Sequence, residues 1–353
     1  MDGASITATR PRIVAGFAVA THGARASAYN PGMPVADSTP PASITSVSIT
    51  PVPPWRAALL SPRYWPSWLA LGVIWLIARL PYRVLFGLGH ALGALLSALL
   101  PARKRVARRN LEICFPEMSA QERADLLKAN MRDLGLMLVE FALAWMASPR
   151  AIARVPVQIE GLEHLEAARA AGRGVLLVGA HFSHLELCAR LVSQRIRIAG
   201  MYRVMDDAAF EWAVLRARLR YAEAMFTKEQ IRATVKHLKS GGTIWYAPDQ
   251  DMRGKDALFA PFFGVPASTI TATHHLARLS GAAVIAFFHR RLPHGGYVLR
   301  LEAPLLDFPS SDVAIDTARI NATIERMVRE APEQYLWVHK RFKSRPEQQP
   351  PLY

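Results

Sequence analysis

The chain has 353 residues, with 43 Lys+Arg against 28 Asp+Glu, a formal net charge of +15 and a pI near 10.3, which excludes an acidic tail or acidic binding module. Only 20% of residues are charged, 51% are hydrophobic and the mean hydropathy is +0.11, so the positive charge sits on a greasy chain and points first to a membrane surface. Two cysteines, Cys114 and Cys188, are too few for a disulfide framework or a multi-thiolate metal site, and the length allows one large domain or two ordinary ones.

Residues 1–54 hold 8 of the 25 prolines and only five charges, Asp2, Arg10, Arg12, Arg25 and Asp37. They read as a disordered extension, or as a stretch ahead of a true start at Met33 or at a non-methionine codon further along. Ile13–Ala20 is too short and weak an apolar run for a secretory signal.

Two apolar runs follow, Tyr64–Ala78 and Val84–Ala102, each flanked by arginines. A spanning helix wants about 20 apolar residues, and the aromatics Tyr64, Trp65, Trp68, Trp75 and Tyr82 suit an interfacial zone. The expectation is one spanning or deeply inserted helix around Trp65–Leu85, followed by a helix lying against the membrane or the protein, with a re-entrant pair, Tyr64–Ala78 and Val84–Ala102, as the alternative. In the second run Gly89, Gly93 and Ser97 recur every four residues, a small-residue surface for close helix packing. Residues 55–102 therefore read as a membrane anchor with apolar helices. Half of Pro101–Asn110 is basic (Arg103, Lys104, Arg105, Arg108, Arg109), which places this flank on the cytoplasmic side of the bilayer.

Ser119–Ser148 carries Leu126, Leu127, Met131, Leu134, Met137, Leu138 and Phe141 near helical spacing. From about Val155 strand and helix patterns alternate. Strands are expected at Gly174–Ala180, Ile196–Val204, Thr243–Ala247, Ala283–His289 and Tyr297–Leu301. Helices are expected at Leu185–Ser193, Ala208–Tyr221, Lys228–Ser240, Ile270–Ser280 and Asp312–Glu330. This alternation predicts an α/β fold with a mainly parallel central sheet flanked by helices, following an N-terminal membrane-associated helical segment.

Reactive groups in such sheets gather beyond the carboxyl ends of strands. The first strand runs directly into His181-Phe-Ser-His184-Leu-Glu186. On one continuous helix His181 and Glu186 would lie about 140° apart, so they meet only if His181 sits on a turn before the helix. An imidazole there takes a proton from an attacking hydroxyl while a carboxylate orients the ring. Ser183-x-x-Glu186 equally fits a capping box in which Glu186 only satisfies the helix start. Other strand ends deliver Arg203, Asp249 with Asp251, and His289-Arg290-Arg291. Arginine there suits phosphate or carboxylate recognition, and Asp249-x-Asp251 also fits a divalent-metal site for glycosyl transfer. No G-x-S-x-G elbow, H-E-x-x-H or phosphate-binding P-loop occurs, and the aromatic and basic stretch Trp337–Pro346 comes without a nucleic-acid-binding fold around it.

The segments LSPRYWPSWLALGVIWL, RRNLEICFPEMS, LLVGAHFSHLELCAR, MYRVMDD, WYAPDQD and APEQYLWVHKRFKSRPE, spread from Leu59 to Tyr353, resemble the late acyltransferases of bacterial lipid A biosynthesis. The resemblance is closest to the lauroyl and palmitoleoyl branch, within the glycerolipid-type acyltransferases; residues 1–54 match nothing in it. It implies transfer of a fatty acyl chain from acyl carrier protein to Kdo-bearing lipid IVA at the cytoplasmic face of the inner membrane. Residues 103–353 would then form the catalytic domain. His181 matches the family's catalytic histidine and Glu186 its acidic partner; Arg203, Asp249 and Asp251 fall at or near further functional positions, read as substrate-binding. The implied partners are the acidic carrier, a phosphorylated lipid A precursor and the membrane, with no nucleic acid and no cofactor or metal. The alternatives are a membrane-tethered basic protein without chemistry and the metal-dependent glycosyltransferase using Asp249 and Asp251.

Overall fold

A computed structural model of the chain describes residues 50–353 apart from His294, so the expectation for the N-terminal extension falls almost wholly outside the described residues. Two helices form, α1 (Trp65–Ile77) and α2 (Tyr82–Leu99), but the first ends eight residues short of the Leu85 expected for it, and the second begins at Tyr82. The reason is Pro81. It has no N–H to donate and disfavours a helical Leu80, so α1 stops before it and Pro81 becomes the N-cap of α2. Only α2 among the described helices is long and apolar enough to cross a membrane.

Next come α3 (Pro101–Cys114), opened by proline at its first position, and α4 (Ala120–Met146). The latter starts at a complete capping box, with Ser119 Oγ accepting from Glu122 N and Ser119 N donating to the Glu122 carboxylate. The small face of α2 packs on α4: Gly89 and Gly93 are buried, and a Cβ added to Gly135 would fall 2.0 Å from the Gly89 carbonyl oxygen. The four-residue glycine spacing thus serves a helix pair inside the protein. A short α5 (Pro149–Ile152) leads into the sheet domain.

Seven strands form one sheet: β1 (Val157–Glu160), β2 (Val175–Val178), β3 (Ala199–Tyr202), β4 (Met225–Thr227), β5 (Thr243–Tyr246), β8 (Ala283–Arg291) and β9 (Tyr297–Pro304). Their spatial order is β1-β9-β8-β2-β5-β3-β4, every pair parallel except β8 with β9. A separate antiparallel hairpin pairs β6 (Ala257–Phe262) with β7 (Val265–Ile270). The flanking helices are α6 (Leu162–Ala170), α7 (Leu185–Val192), α8 (Ala208–Arg218), α9 (Ile231–Lys239), α10 (Ala272–Ser280) and α11 (Val313–Glu330). The α/β architecture is the one the sequence predicts; the hairpin, β1 and β4 were not foreseen.

Central strand β2, Val-Leu-Leu-Val, is buried on both faces, as a parallel strand covered on each side must be. Leu176 and Val178 point into a cluster with Ile244, Val284, Phe288 and the α11 residues Ile320 and Ile324. Val175 and Leu177 point the other way, onto Val139 and Leu143 of α4 and Leu187 and Leu191 of α7. Each such side chain contributes about 1.5–3 kcal/mol by leaving water. The strand's exit is therefore rigidly placed, and it aims the residues that follow.

Candidate active site

After Val178 the chain passes Gly179 and Ala180 to His181. A Cβ on Gly179 would lie 2.7 Å from the indole nitrogen of Trp245, so only glycine lets β2 end this close to β5. The turn is pinned from the C-terminal segment: Leu336 N donates to the His181 carbonyl (3.0 Å), Ser183 N donates to the Gln334 carbonyl (2.9 Å), and Phe182 bridges Tyr335. Two buried asparagines hold that segment in turn. Asn110 of α3 donates to the carbonyls of Trp337 and His339, and Asn130 of α4 to those of Glu333 and Tyr335.

The acidic partner of His181 is Asp249, beyond the end of β5. One carboxylate oxygen accepts the His181 backbone N–H at 2.8 Å and the other lies 2.5 Å from Nδ1. This geometry places a proton on Nδ1 and leaves the Nε2 lone pair available. Asp249 is 2% exposed, while the His181 side chain keeps 30% of its surface. Burial favours the uncharged form of both groups, but the pair interaction outweighs it. Asp249 is held down to about 2, and the imidazole is raised above its ordinary 6.5.

Glu186 does not make the contact that sequence proximity suggests. Helix α7 begins at Leu185, with His184 as an N-cap that makes no side-chain cap bond, so the expected Ser183–Glu186 capping box does not form either. The Glu186 carboxylate lies in the same cleft as His181 and is held by Arg218 at the end of α8, by Trp145 Nε1 at 2.9 Å and by Tyr221 OH at 3.3 Å. The reason is the helix: its first turn carries Glu186 toward α4 and α8 rather than back to the turn.

The remaining sequence candidates separate. Arg203 follows β3 at the rim of the cleft, largely exposed and paired with the equally exposed Asp206 at 3.2 Å. Asp249, read as substrate-binding, is the imidazole's partner. Asp251 accepts from Ser344 N at 2.8 Å and lies 3.0 Å from Ser344 Oγ, so it ties down the C-terminal segment. The two aspartates face different partners, whereas a shared metal would need them to converge. Arg291, read as a strand-end arginine for an anionic ligand, is buried against Glu140 (2.7 Å twice) and Asp133 of α4. Trp337, Arg341 and Phe342, from the stretch that interleaves aromatic and basic residues, are buried in the core.

The cleft in front of His181 has a volume of about 320 Å³. Its walls are mostly apolar, with Ile198, Met201, Met225 and Phe287 among them, and its polar groups include His181, Glu186, Arg203, Arg218 and Tyr221. An apolar slot ending at a base suits a long-chain acyl substrate. Beside the turn, His184, Cys188 and His289 are fully buried, with one potential ligand atom each within 4.8 Å of the others. Burial drives both imidazoles toward neutrality, His289 down to about 3.

Residues 53–344 match the model of the bacterial lipid A biosynthesis acyltransferase family. The chain is 41% identical over 307 residues to lipid A biosynthesis lauroyltransferase of Escherichia coli K12, covering 86% of this chain and all of that protein. It is 41% identical over 296 residues to the lipid A biosynthesis palmitoleoyltransferase of the same organism, covering 83% of this chain and 96% of that protein. A solved 1-acyl-sn-glycerophosphate acyltransferase from Thermotoga maritima aligns over 65% of this chain and 97% of its own at 14% identity, with a TM-score of 0.35. The protein is an acyltransferase of lipid A biosynthesis, and the chain belongs to the bacterial lipid A biosynthesis acyltransferase family.

Proposed function

We propose that the enzyme moves a fatty acyl group of about lauroyl length from the thioester of an acyl carrier protein to a hydroxyl of Kdo-bearing lipid IVA, with His181 as general base. The observation that carries this reading is the His181–Asp249 pair at the end of an apolar cleft. Nε2 of His181 removes the hydroxyl proton as the oxygen attacks the thioester carbonyl, and Asp249 stabilises the imidazolium that forms. The tetrahedral adduct collapses, the carbon–sulfur bond breaks, and the proton on Nε2 passes to the departing thiolate. Glu186 positions Arg218 and Tyr221 in the cleft wall, and Arg203 at the rim meets an anionic group of the lipid.

The acyl chain lies along Ile198, Met201, Met225 and Phe287, where flexible methionines adapt to chain shape. The catalytic face sits at the cytoplasmic side of the inner membrane. In support, α1 and α2 expose Trp65, Leu69, Leu76, Val84, Leu95 and Leu99, and the basic start of α3 follows immediately.

The test is acyl transfer by purified full-length enzyme, with acyl carrier protein loaded with a mixed acyl pool as donor and Kdo-bearing lipid IVA as acceptor. Mass spectrometry of the product is expected to show chiefly a 12-carbon addition, lost in His181→Ala. Full activity in His181→Ala would sink the proposed base, and a product dominated by another chain length would sink the lauroyl preference.

A further inference from the structure

A second and larger cavity, about 680 Å³, opens between the last turns of α2, the middle of α3 and the first half of α4. Its floor is apolar (Ala94, Leu127, Met131) and its rim is cationic, with Lys104 and Arg108 on α3 and Lys128 and Arg132 on α4. Each pair is spaced i,i+4 on its own helix, an arrangement in which like charges repel and destabilise the helix. Among the described residues none of the four lies within ion-pair distance of a carboxylate. Glu112, also on the rim, is paired with Arg109 at 3.2 Å, and Arg123 is occupied by the carbonyls of Phe115 and Met118. Four cations around one concavity, none of them ion-paired, suit an anionic ligand. The apolar floor asks for a ligand that also carries hydrocarbon.

We propose that this groove binds the phosphate headgroup and upper acyl region of an anionic membrane phospholipid, which locks α2, α3 and α4 together at the bilayer surface. The proposal rests on the bilayer seating of α2 described above. The groove lies beside the C-terminal turns of that helix, where exposed Leu95 and Leu99 would meet the headgroup layer. A concave, lipid-depth site favours a phospholipid over an acidic protein, whose docking needs a broad exposed face.

The test uses the full-length enzyme and vesicles of phosphatidylcholine with or without about one third phosphatidylglycerol. The wild type is expected to bind both, and the anionic ones more tightly. Neutralising the groove in Arg108→Gln/Arg132→Gln is expected to weaken binding to anionic vesicles about five-fold per charge, with binding to neutral vesicles unchanged. Arg103→Gln/Arg105→Gln removes the same charge from exposed sites off the groove and is expected to do clearly less. In lipid-free detergent the groove variant should melt no lower than wild type, since repulsion is relieved, and should lose the rise in Tm that phosphatidylglycerol gives the wild type. Equal effects of the two double variants would overturn the groove as a site. So would a groove variant that keeps its lipid-dependent Tm rise and instead raises the KM for acyl carrier protein, which would make the groove a carrier-docking surface. Failure of the wild type to bind neutral vesicles would count against the bilayer seating of α2, a separate result.

Discussion

Two carboxylates lie near His181, and their surroundings differ. Asp249 is enclosed behind the ring, outside the cleft's lining, and gives both oxygens to His181, one to its backbone N–H and one to its ring. Glu186 lines the cleft and is bound by a guanidinium, an indole N–H and a phenol, none of them a proton-transfer base at neutral pH. Glu186 is five residues from His181 and Asp249 is 68, so closeness along the chain is the wrong guide. Strand order decides instead: β5 lies next to β2 with Val178 opposite Tyr246, and the residue three beyond Tyr246 comes beside the residue three beyond Val178. A parallel sheet brings strand ends together, whereas the first turn of a helix carries its side chains away from the turn that precedes it.

Variants break this comparison in order of expected effect. His181→Ala should cost on the order of 10⁴ in turnover with the fold intact, read as kcat at saturating donor and acceptor. Asp249→Asn should cost on the order of 10² to 10³, because the ring loses the acceptor that fixes its tautomer and stabilises its charge. Glu186→Gln should cost about tenfold, through loosened placement of Arg218 and Tyr221, and should destabilise the fold by about 1–3 kcal/mol because Arg218 keeps only a neutral partner. Away from the cleft, Gly135→Ala forces a methyl into the backbone of α2 and should lower stability by about 1–3 kcal/mol in denaturant melts, with kcat per folded molecule unchanged. The smallest effect belongs to Asp251→Asn, which gives up a charge-assisted bond to Ser344 and should cost about 1 kcal/mol with kcat unchanged.

The sheet was legible because β2, β5 and β8 are apolar runs with polar groups directly after them, and His181 stood out as the first such group. What the sequence concealed were pairings across the chain. Asp249 read as one of a turn pair with Asp251, and only the adjacency of β5 and β2 sends the two to different partners. Arg291 read as a ligand-binding arginine, yet it neutralises Glu140 and Asp133. Those two acids, with Asn130, lie amid the apolar residues of α4, and a buried polar residue in such a stretch is the signal that a partner waits elsewhere. The glycine spacing of α2 was read rightly as a packing face. Pro81 is the visible signal that a helix from Trp65 cannot run on to Leu85.

The pH dependence of kcat/KM tests the division between the two carboxylates most directly. Asp249 raises the imidazole's pKa, and His181 in its proposed role as base must be neutral to act, so the acid limb of the wild-type profile should lie above pH 6.5. Removing the carboxylate lowers that pKa, so the limb should move to lower pH in Asp249→Asn and stay in place in Glu186→Gln. A limb that moves in Glu186→Gln and stays in Asp249→Asn would contradict the assignment of Asp249 as the partner of the base.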